Sequence, residues 1–214
     1  MPRWFNTAGP CQADIHYVLP PTLRLPSLER LIAQRNYFVI HAPRQVGKTT
    51  AMLALAKQLT DSGKYTAVML SVEVGAPFSQ DIGGAEEAIL AAWRRAISIR
   101  LPQELQPPLW PSLESGQRIG DALSLWAESS PHPLVIFIDE IDALQDLALI
   151  SILRQLRDAY PNRPKAFPQS VGLIGLRDVR DYKVAAGGSD RLNTSSPFNI
   201  KVRSITMRNF NASE

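Results

Sequence analysis

The chain has 214 residues, 45% of them hydrophobic and 20% charged, with a net charge of +3; this is enough apolar material for a full core and argues for one domain rather than a disordered chain. Its basic residues are scattered without a Lys/Arg block, so nucleic acid is permitted as a partner but not argued for by charge. A single cysteine, Cys11, and three histidines, His16, His41 and His132, exclude an internal disulfide and speak against a thiolate zinc site.

Met1 to Asn6 lacks the apolar core of a signal peptide, and the longest strongly apolar run, Leu134 to Ile138, is far too short to span a bilayer. A cytoplasmic protein with no membrane partner is expected. Residues 1–27 are rich in Pro and Gly, lack periodicity and read as an extended lead-in. Leu28 to Gln34 reads as a short helix with Ser27 as its N-cap. Asn36 to His41 is an apolar strand, and Gly47 to Thr60 a helix closed near Gly63.

The stretch Ala42-Pro43-Arg44-Gln45-Val46-Gly47-Lys48-Thr49-Thr50 lies between that strand and that helix. A strand, a short loop and a helix with Gly-Lys-Thr at the junction form a phosphate-binding loop. A triphosphate packs several negative charges into a small volume, so its site needs many donors and little bulk. The loop Pro43 to Thr50, through its backbone N–H groups (Pro43 itself has none), and the positive end of the helix supply the donors. Gly47 brings the backbone close because it has no Cβ. Lys48 places an ammonium on the β- and γ-phosphates, and Thr49 a hydroxyl on Mg²⁺. The consensus G-x-x-x-x-G-K-[ST] is met except at its first position, which is Ala42. Alanine disfavours positive φ, so the loop is expected to keep negative φ there.

Further along, Tyr65 to Val74 reads as a strand buried on both faces, on the unbroken run Ala67-Val68-Met69-Leu70. Asp81 to Arg100 is an amphipathic helix with Ala85, Ala88, Ile89, Ala92, Trp93 and Ala96 on one face. Pro102, Pro107, Pro108 and Pro111 mark a loop before a second amphipathic helix, Ile119 to Ala127. Leu134 to Ile138 is the most strand-like run and ends in Asp139-Glu140, the Walker B pattern. It follows Lys48 by about ninety residues, as intervening βα units require. Asp139 would hold Mg²⁺ through water, and Glu140 would orient and deprotonate the attacking water as the catalytic base. Asp142 reads as a solvated residue at a helix start.

Leu144 to Tyr160 reads as a helix ended by Pro161, Ser170 to Leu176 as a strand, 177–197 as a loop and Phe198 to Met207 as a last strand. Strands alternating with helices predict a three-layer α/β/α fold with a parallel sheet. Ligands bind at the carboxyl edge of such sheets, which makes Arg177 and Asp178 candidate sensors of the γ-phosphate. Arg191 is a weaker candidate for reaching a neighbouring subunit's nucleotide.

The pair A-P-R-Q-V-G-K-T-T and L-V-I-F-I-D-E-I-D resembles P-loop ATPases of the AAA+ and STAND kind. The lead-in F-N-T-A-G-P, H-Y-V-L-P-P and R-L, then Y-F-V-I-H-A-P-R-Q, and later S-P-F-N-I-K-V and M-R-N-F, are similar to a group of largely uncharacterised prokaryotic AAA-like ATPases. The resemblance implies a five-stranded parallel sheet of order 5-1-4-3-2 and divides the chain into a lead-in, 1–35, a core, 36–208, and the start of a lid, 209–214. It implies an adenine pocket partly built by the lead-in, at His16, Tyr17, Leu19 and Pro20. A helical lid, sometimes bearing a sensing Arg, follows the last strand in such ATPases, and the resemblance implies that it is missing after Glu214. Weak turnover and impaired lid-dependent assembly are therefore expected. No Asn-Lys-x-Asp motif occurs, which argues for adenine over guanine. The leading expectation is Mg²⁺-dependent ATP hydrolysis driving a conformational change in an unknown protein partner, with self-association permitted. The alternatives are an ATP-binding switch or scaffold with negligible turnover, and a DNA-associated ATPase.

Overall fold

Five short segments, the first four largely apolar, assemble into one parallel sheet: β1 (Tyr37–His41), β2 (Thr66–Ser71), β3 (Leu134–Asp139), β4 (Ser170–Gly175) and β5 (Lys201–Thr206). The structure is a computed structural model that describes residues 3–6, 9–12, 14–18, 20–111, 114–176 and 200–207. The strand order is β2-β3-β4-β1-β5, the expected 5-1-4-3-2 counted from the opposite edge. The six helices among the described residues are α1 (Pro21–Arg24), α2 (Leu28–Ala33), α3 (Lys48–Asp61), α4 (Ile82–Arg100), α5 (Arg118–Ser129) and α6 (Asp146–Asp158).

Strand residues point alternately to opposite faces, and each face has its own core. Tyr37, Val39, Leu70, Ile136, Ile138 and Leu173 pack against α4, α5 and α6, where Trp93 and Trp126 are fully buried as core residues. Phe38, Ile40, Met69, Val135, Phe137 and Ile174 pack against α2 and α3. β3 and β4 are buried along their whole length and β1 as far as Ile40, which explains their predominantly apolar sequences. Phe38 on β1, Gly172 on β4 and Phe137 on β3 are register partners in one row. A Cβ on Gly172 would stand 2.7 Å from the Phe38 ring and 2.9 Å from the Phe137 ring. Glycine there lets two large rings share the row; overpacking of this kind costs about 1–3 kcal/mol.

The outer edge of β2 is covered rather than exposed. Trp93 Nε1 donates to the Ser71 carbonyl at 2.8 Å, and the Arg100 guanidinium donates to the Met69 carbonyl. Both donors come from α4, so one helix packs the face and saturates edge carbonyls that would otherwise invite another strand.

Several boundaries differ from expectation. The lead-in holds the short helix α1. The Ser27 side chain makes no capping bond, and its backbone is already right-handed helical. β2 stops at Ser71, and Glu73–Phe78 forms a 3₁₀ segment with Pro77 inside it. The helix predicted from Leu144 begins at Asp146, flanked by 3₁₀ turns at Ile141–Ala143 and Tyr160–Asn162, the second containing Pro161. Asp81 does cap α4, its carboxylate accepting from the Gly84 N–H at 2.9 Å.

Candidate functional site

β1 ends at His41, and the chain turns into α3 through the Ala42–Gly47 loop. Ala42 is buried and extends the sheet, its N–H donating to the Gly175 carbonyl at 3.3 Å. It is not among the positive-φ residues, as expected; in this loop those are Gln45 (φ 62) and Gly47 (φ 82). A left-handed glutamine costs roughly 1–2 kcal/mol. Such strain collects at functional sites.

Lys48 opens α3, and its Nζ donates to the Ala42 and Pro43 carbonyls, both at 2.7 Å. Burial pulls its pKa below the usual lysine value, while Asp139 and Asp142 act against that. The next residue, Thr49, donates its Oγ1 proton to Asp139 Oδ2 at 3.0 Å. Asp139 is buried at the end of β3, and its other oxygen accepts from the Glu140 N–H at 3.0 Å. Burial pushes the Asp139 carboxyl above its usual range; the bonds from Thr49 and from the Glu140 N–H hold it down.

Glu140 leaves the strand in a left-handed conformation (φ 58). The turn sends its side chain away from Asp139, so the adjacent carboxylates reach different places. Glu140 Oε2 accepts from Ser71 Oγ at 2.9 Å, and Ser71 Oγ accepts from the Glu73 N–H at 3.1 Å. The Glu73 side chain lies on the same side of the cleft, where its charge acts on Glu140. Burial raises the Glu140 pKa most; the Ser71 bond lowers it, and Glu73 and the charge of Asp142 raise it further.

A cleft of about 490 Å³ opens over the carboxyl ends of β1, β3 and β4. Arg44, Gln45, Lys48 and Thr49 line one side and Asp139 and Glu140 the other. The two halves of the predicted site therefore meet. Pro43, Val46, Gly47 and Thr50 belong to the loop but do not line the cleft: Pro43 presents its carbonyl to Lys48, Val46 is buried, and Thr50 accepts from the Cys11 N–H at 3.1 Å. Arg177, Asp178, Arg191 and Leu19 lie outside the described residues; β4 reaches the cleft through Gly175 and Leu176. His16, Tyr17 and Pro20 do not line the cleft. His16 is buried with its ring edge-to-face on Trp4, and Tyr17 is exposed beside Phe5.

Sequence reasoning missed Ser71, Glu73 and Arg24, and it left Asp142 in solvent, whereas Glu73 and Asp142 line the cleft. Ser71 and Glu73 carry no local signal, because they become site residues only when β2 lies beside β3.

Thr49 and Asp139 offer a hydroxyl and a carboxylate oxygen to the same point, the hard donors Mg²⁺ prefers. Among the described residues no group of three or more His, Cys, Asp or Glu side chains could hold a metal ion. Mg²⁺ needs no such cage, since it keeps waters and takes its remaining ligands from phosphates. Among the described residues no helix is long and apolar enough to cross a membrane.

The profile of the AAA family, "ATPase family associated with various cellular activities", matches residues 38–166. No curated protein sequence matches the chain. Among solved structures, a Walker-type ATPase of Pyrococcus abyssi is 11% identical with a TM-score of 0.54, over 92% of this chain and 55% of that one. AMPPCP-bound DnaA from Aquifex aeolicus is 14% identical with a TM-score of 0.46, over 87% of this chain and 44% of that one. The likeness to the first shows the fold. The chain spans about half the length of these solved chains.

Proposed function

This chain belongs to the AAA family of ATPases, and from that premise we propose that it binds ATP with Mg²⁺ and hydrolyses it, coupling turnover to a conformational change in a protein partner. The observation that carries the reading is the Thr49–Asp139 bond at 3.0 Å, which joins the phosphate loop to the end of β3. In this reading the ammonium of Lys48 leaves the Ala42 and Pro43 carbonyls and meets the β- and γ-phosphates. Backbone N–H groups of the loop from Arg44 to Thr50 hold the rest of the phosphate chain at the positive end of α3. Thr49 and Asp139 would hold Mg²⁺, which when bound would supply positive charge against the phosphates. Glu140 takes a proton from the attacking water as its oxygen bonds to the γ-phosphorus and the bond to the β–γ bridging oxygen breaks. Arg177 and Asp178 are proposed to sense the γ-phosphate, and the lead-in, with His16, Tyr17, Leu19 and Pro20, to face the base. The division into lead-in, core and lid start, and a cytoplasmic setting, belong to the same proposal.

A second reading is an ATP-binding switch with negligible turnover. It is favoured by the Glu140 carboxylate, which is already engaged by the Ser71 hydroxyl at 2.9 Å and is set beside the like charge of Glu73. Calorimetry with ATP and Mg²⁺, run beside a phosphate-release assay with and without DNA, separates these readings. Binding with release supports the ATPase, and binding without release supports the switch. Release only with DNA returns the DNA-associated reading, and no binding at all overturns all three.

A further inference from the structure

The segment before β1 is fastened to the phosphate loop at two points. Near its start, the Cys11 N–H donates to Thr50 Oγ1 at 3.1 Å, in the first turn of α3. At its other end Arg24, the last residue of α1, donates from Nη1 to the Val46 carbonyl at 2.7 Å. The same Nη1 lies 3.5 Å from the place a Cβ on Gly47 would occupy. The guanidinium therefore lies against the peptide through which the loop bends into α3, where Gly47 takes φ 82.

That peptide is planar and trans, so its carbonyl and its N–H point in opposite directions from one rigid unit. A bond that fixes the Val46 carbonyl fixes the Gly47 N–H with it. Because the carbonyl is turned to Arg24, the N–H faces away from Arg24. A charged donor on the carbonyl also polarises the peptide, which strengthens the N–H as a donor. We propose that Arg24 is a positioning residue for phosphate recognition: it holds the Val46–Gly47 peptide in the orientation that presents the Gly47 N–H to the phosphates. The proposal rests on the ATP-binding reading of the loop. Arg24 acts through the backbone and touches no substrate. The lead-in thus serves the phosphates as well as the base.

A residue that acts through the loop affects every ligand that carries the phosphate chain, with or without a nucleoside. Calorimetry with Mg²⁺–ATP and with Mg²⁺–tripolyphosphate tests this on the wild-type chain, Arg24→Ala and Arg24→Lys. Arg24→Ala should weaken both ligands by the same factor, about tenfold for one charge-assisted bond. Arg24→Lys, which can still donate to the Val46 carbonyl, should return both to within about threefold of wild type. In steady-state turnover, KM should rise with the same factor while kcat stays within about twofold. Should Arg24→Ala not fold, Arg24→Gln is measured in its place; it packs similarly and carries no charge. Tripolyphosphate binding that does not change while ATP binding falls would overturn the proposal, because the arginine would then serve the nucleoside. Equal losses in Arg24→Lys and Arg24→Ala would reduce Arg24 to structural support of α1. Wild-type levels in all variants would also overturn it while leaving the ATPase reading intact. A wild-type chain that binds neither ligand overturns both.

Discussion

Glu140→Gln separates the two carboxylates at the end of β3. The substitution keeps the shape of the side chain and removes its capacity to take a proton. The amide oxygen can still accept from Ser71 Oγ, as the carboxylate does at 2.9 Å. Its NH₂ can donate to Glu73, which now meets a carboxyl. With both groups ionised the wild-type pair is two like charges side by side; the variant can replace that repulsion with a hydrogen bond. The contact is open to solvent on one side, so water screens the gain to about 0.5 kcal/mol. For a chain of this size that raises Tm by about 1–2 °C at pH 8. Loss of a general base should lower kcat by about 10²–10⁴, about 3–5 kcal/mol of barrier. ATP affinity should stay within about threefold of wild type, because Glu140 is not one of the donors that hold the phosphates. Phosphate release, calorimetry and thermal unfolding on one preparation read all three quantities. Turnover above a tenth of wild type would refute the base role, and a lower Tm would refute the account of the carboxyl pair.

Lys48→Ala should abolish measurable ATP binding and turnover, and calorimetry that shows affinity within tenfold of wild type would contradict its assignment to the phosphates. The pH dependence of turnover tests how the Glu140 environment is built. Burial, opposed by Ser71 and reinforced by Glu73, places its carboxyl above the ordinary value of 4.5, and the base must be deprotonated to act. The acid limb of the kcat profile should therefore lie above 4.5. Glu73→Gln should move it to lower pH by removing a like charge, and Ser71→Ala should move it to higher pH by removing a donor to the carboxylate. Identical limbs in all three proteins would refute the reasoning. A further test concerns the core: Glu86 is fully buried and accepts from the Gln155 amide and the Gly116 N–H, both at 2.7 Å. Glu86→Ala leaves both donors without that acceptor and opens a cavity, so denaturant unfolding should show a loss of about 2–4 kcal/mol. A loss under about 1 kcal/mol would mean that water replaces the carboxylate.

β1, β2 and β3 were legible because they are buried on both faces and read as apolar runs, whereas β5, with Arg203 and Thr206 exposed, shows itself only by alternation. The order of the sheet was legible only through family resemblance, since register between distant strands leaves no mark on either strand alone. What local pattern could not show is where an element ends against its neighbours. Val72 is apolar and buried like β2, and its N–H still donates to the Asp139 carbonyl of β3 at 3.2 Å, yet the strand stops at Ser71, because the Val72 carbonyl accepts from the Gly75 N–H at 3.0 Å and starts the 3₁₀ segment. That turn takes Glu73 out of the strand and to the side of Glu140. Glu73 is thus a site residue through chain reversal and strand adjacency together, neither of which three residues of sequence can express. Arg24 was hidden for the same reason: its partner is a carbonyl, and backbone acceptors carry no residue identity.

The alanine at position 42 shows what a consensus glycine stands for. Two residues in this loop need left-handed backbone, and they are Gln45 and Gly47. Ala42 instead continues β1 toward Gly175, buries its methyl group in the core against α3, and offers its carbonyl to Lys48. A Cβ is tolerated there because that face of the residue looks into the protein rather than toward the cleft. At Gly47 the backbone is left-handed, and the Arg24 guanidinium lies 3.5 Å from the place a Cβ would take. The loop thus keeps its glycine where the left-handed conformation favours it, the guanidinium being no nearer than an ordinary van der Waals contact. The departure at position 42 exchanges an unneeded freedom for a packed methyl group without altering the phosphate-facing backbone.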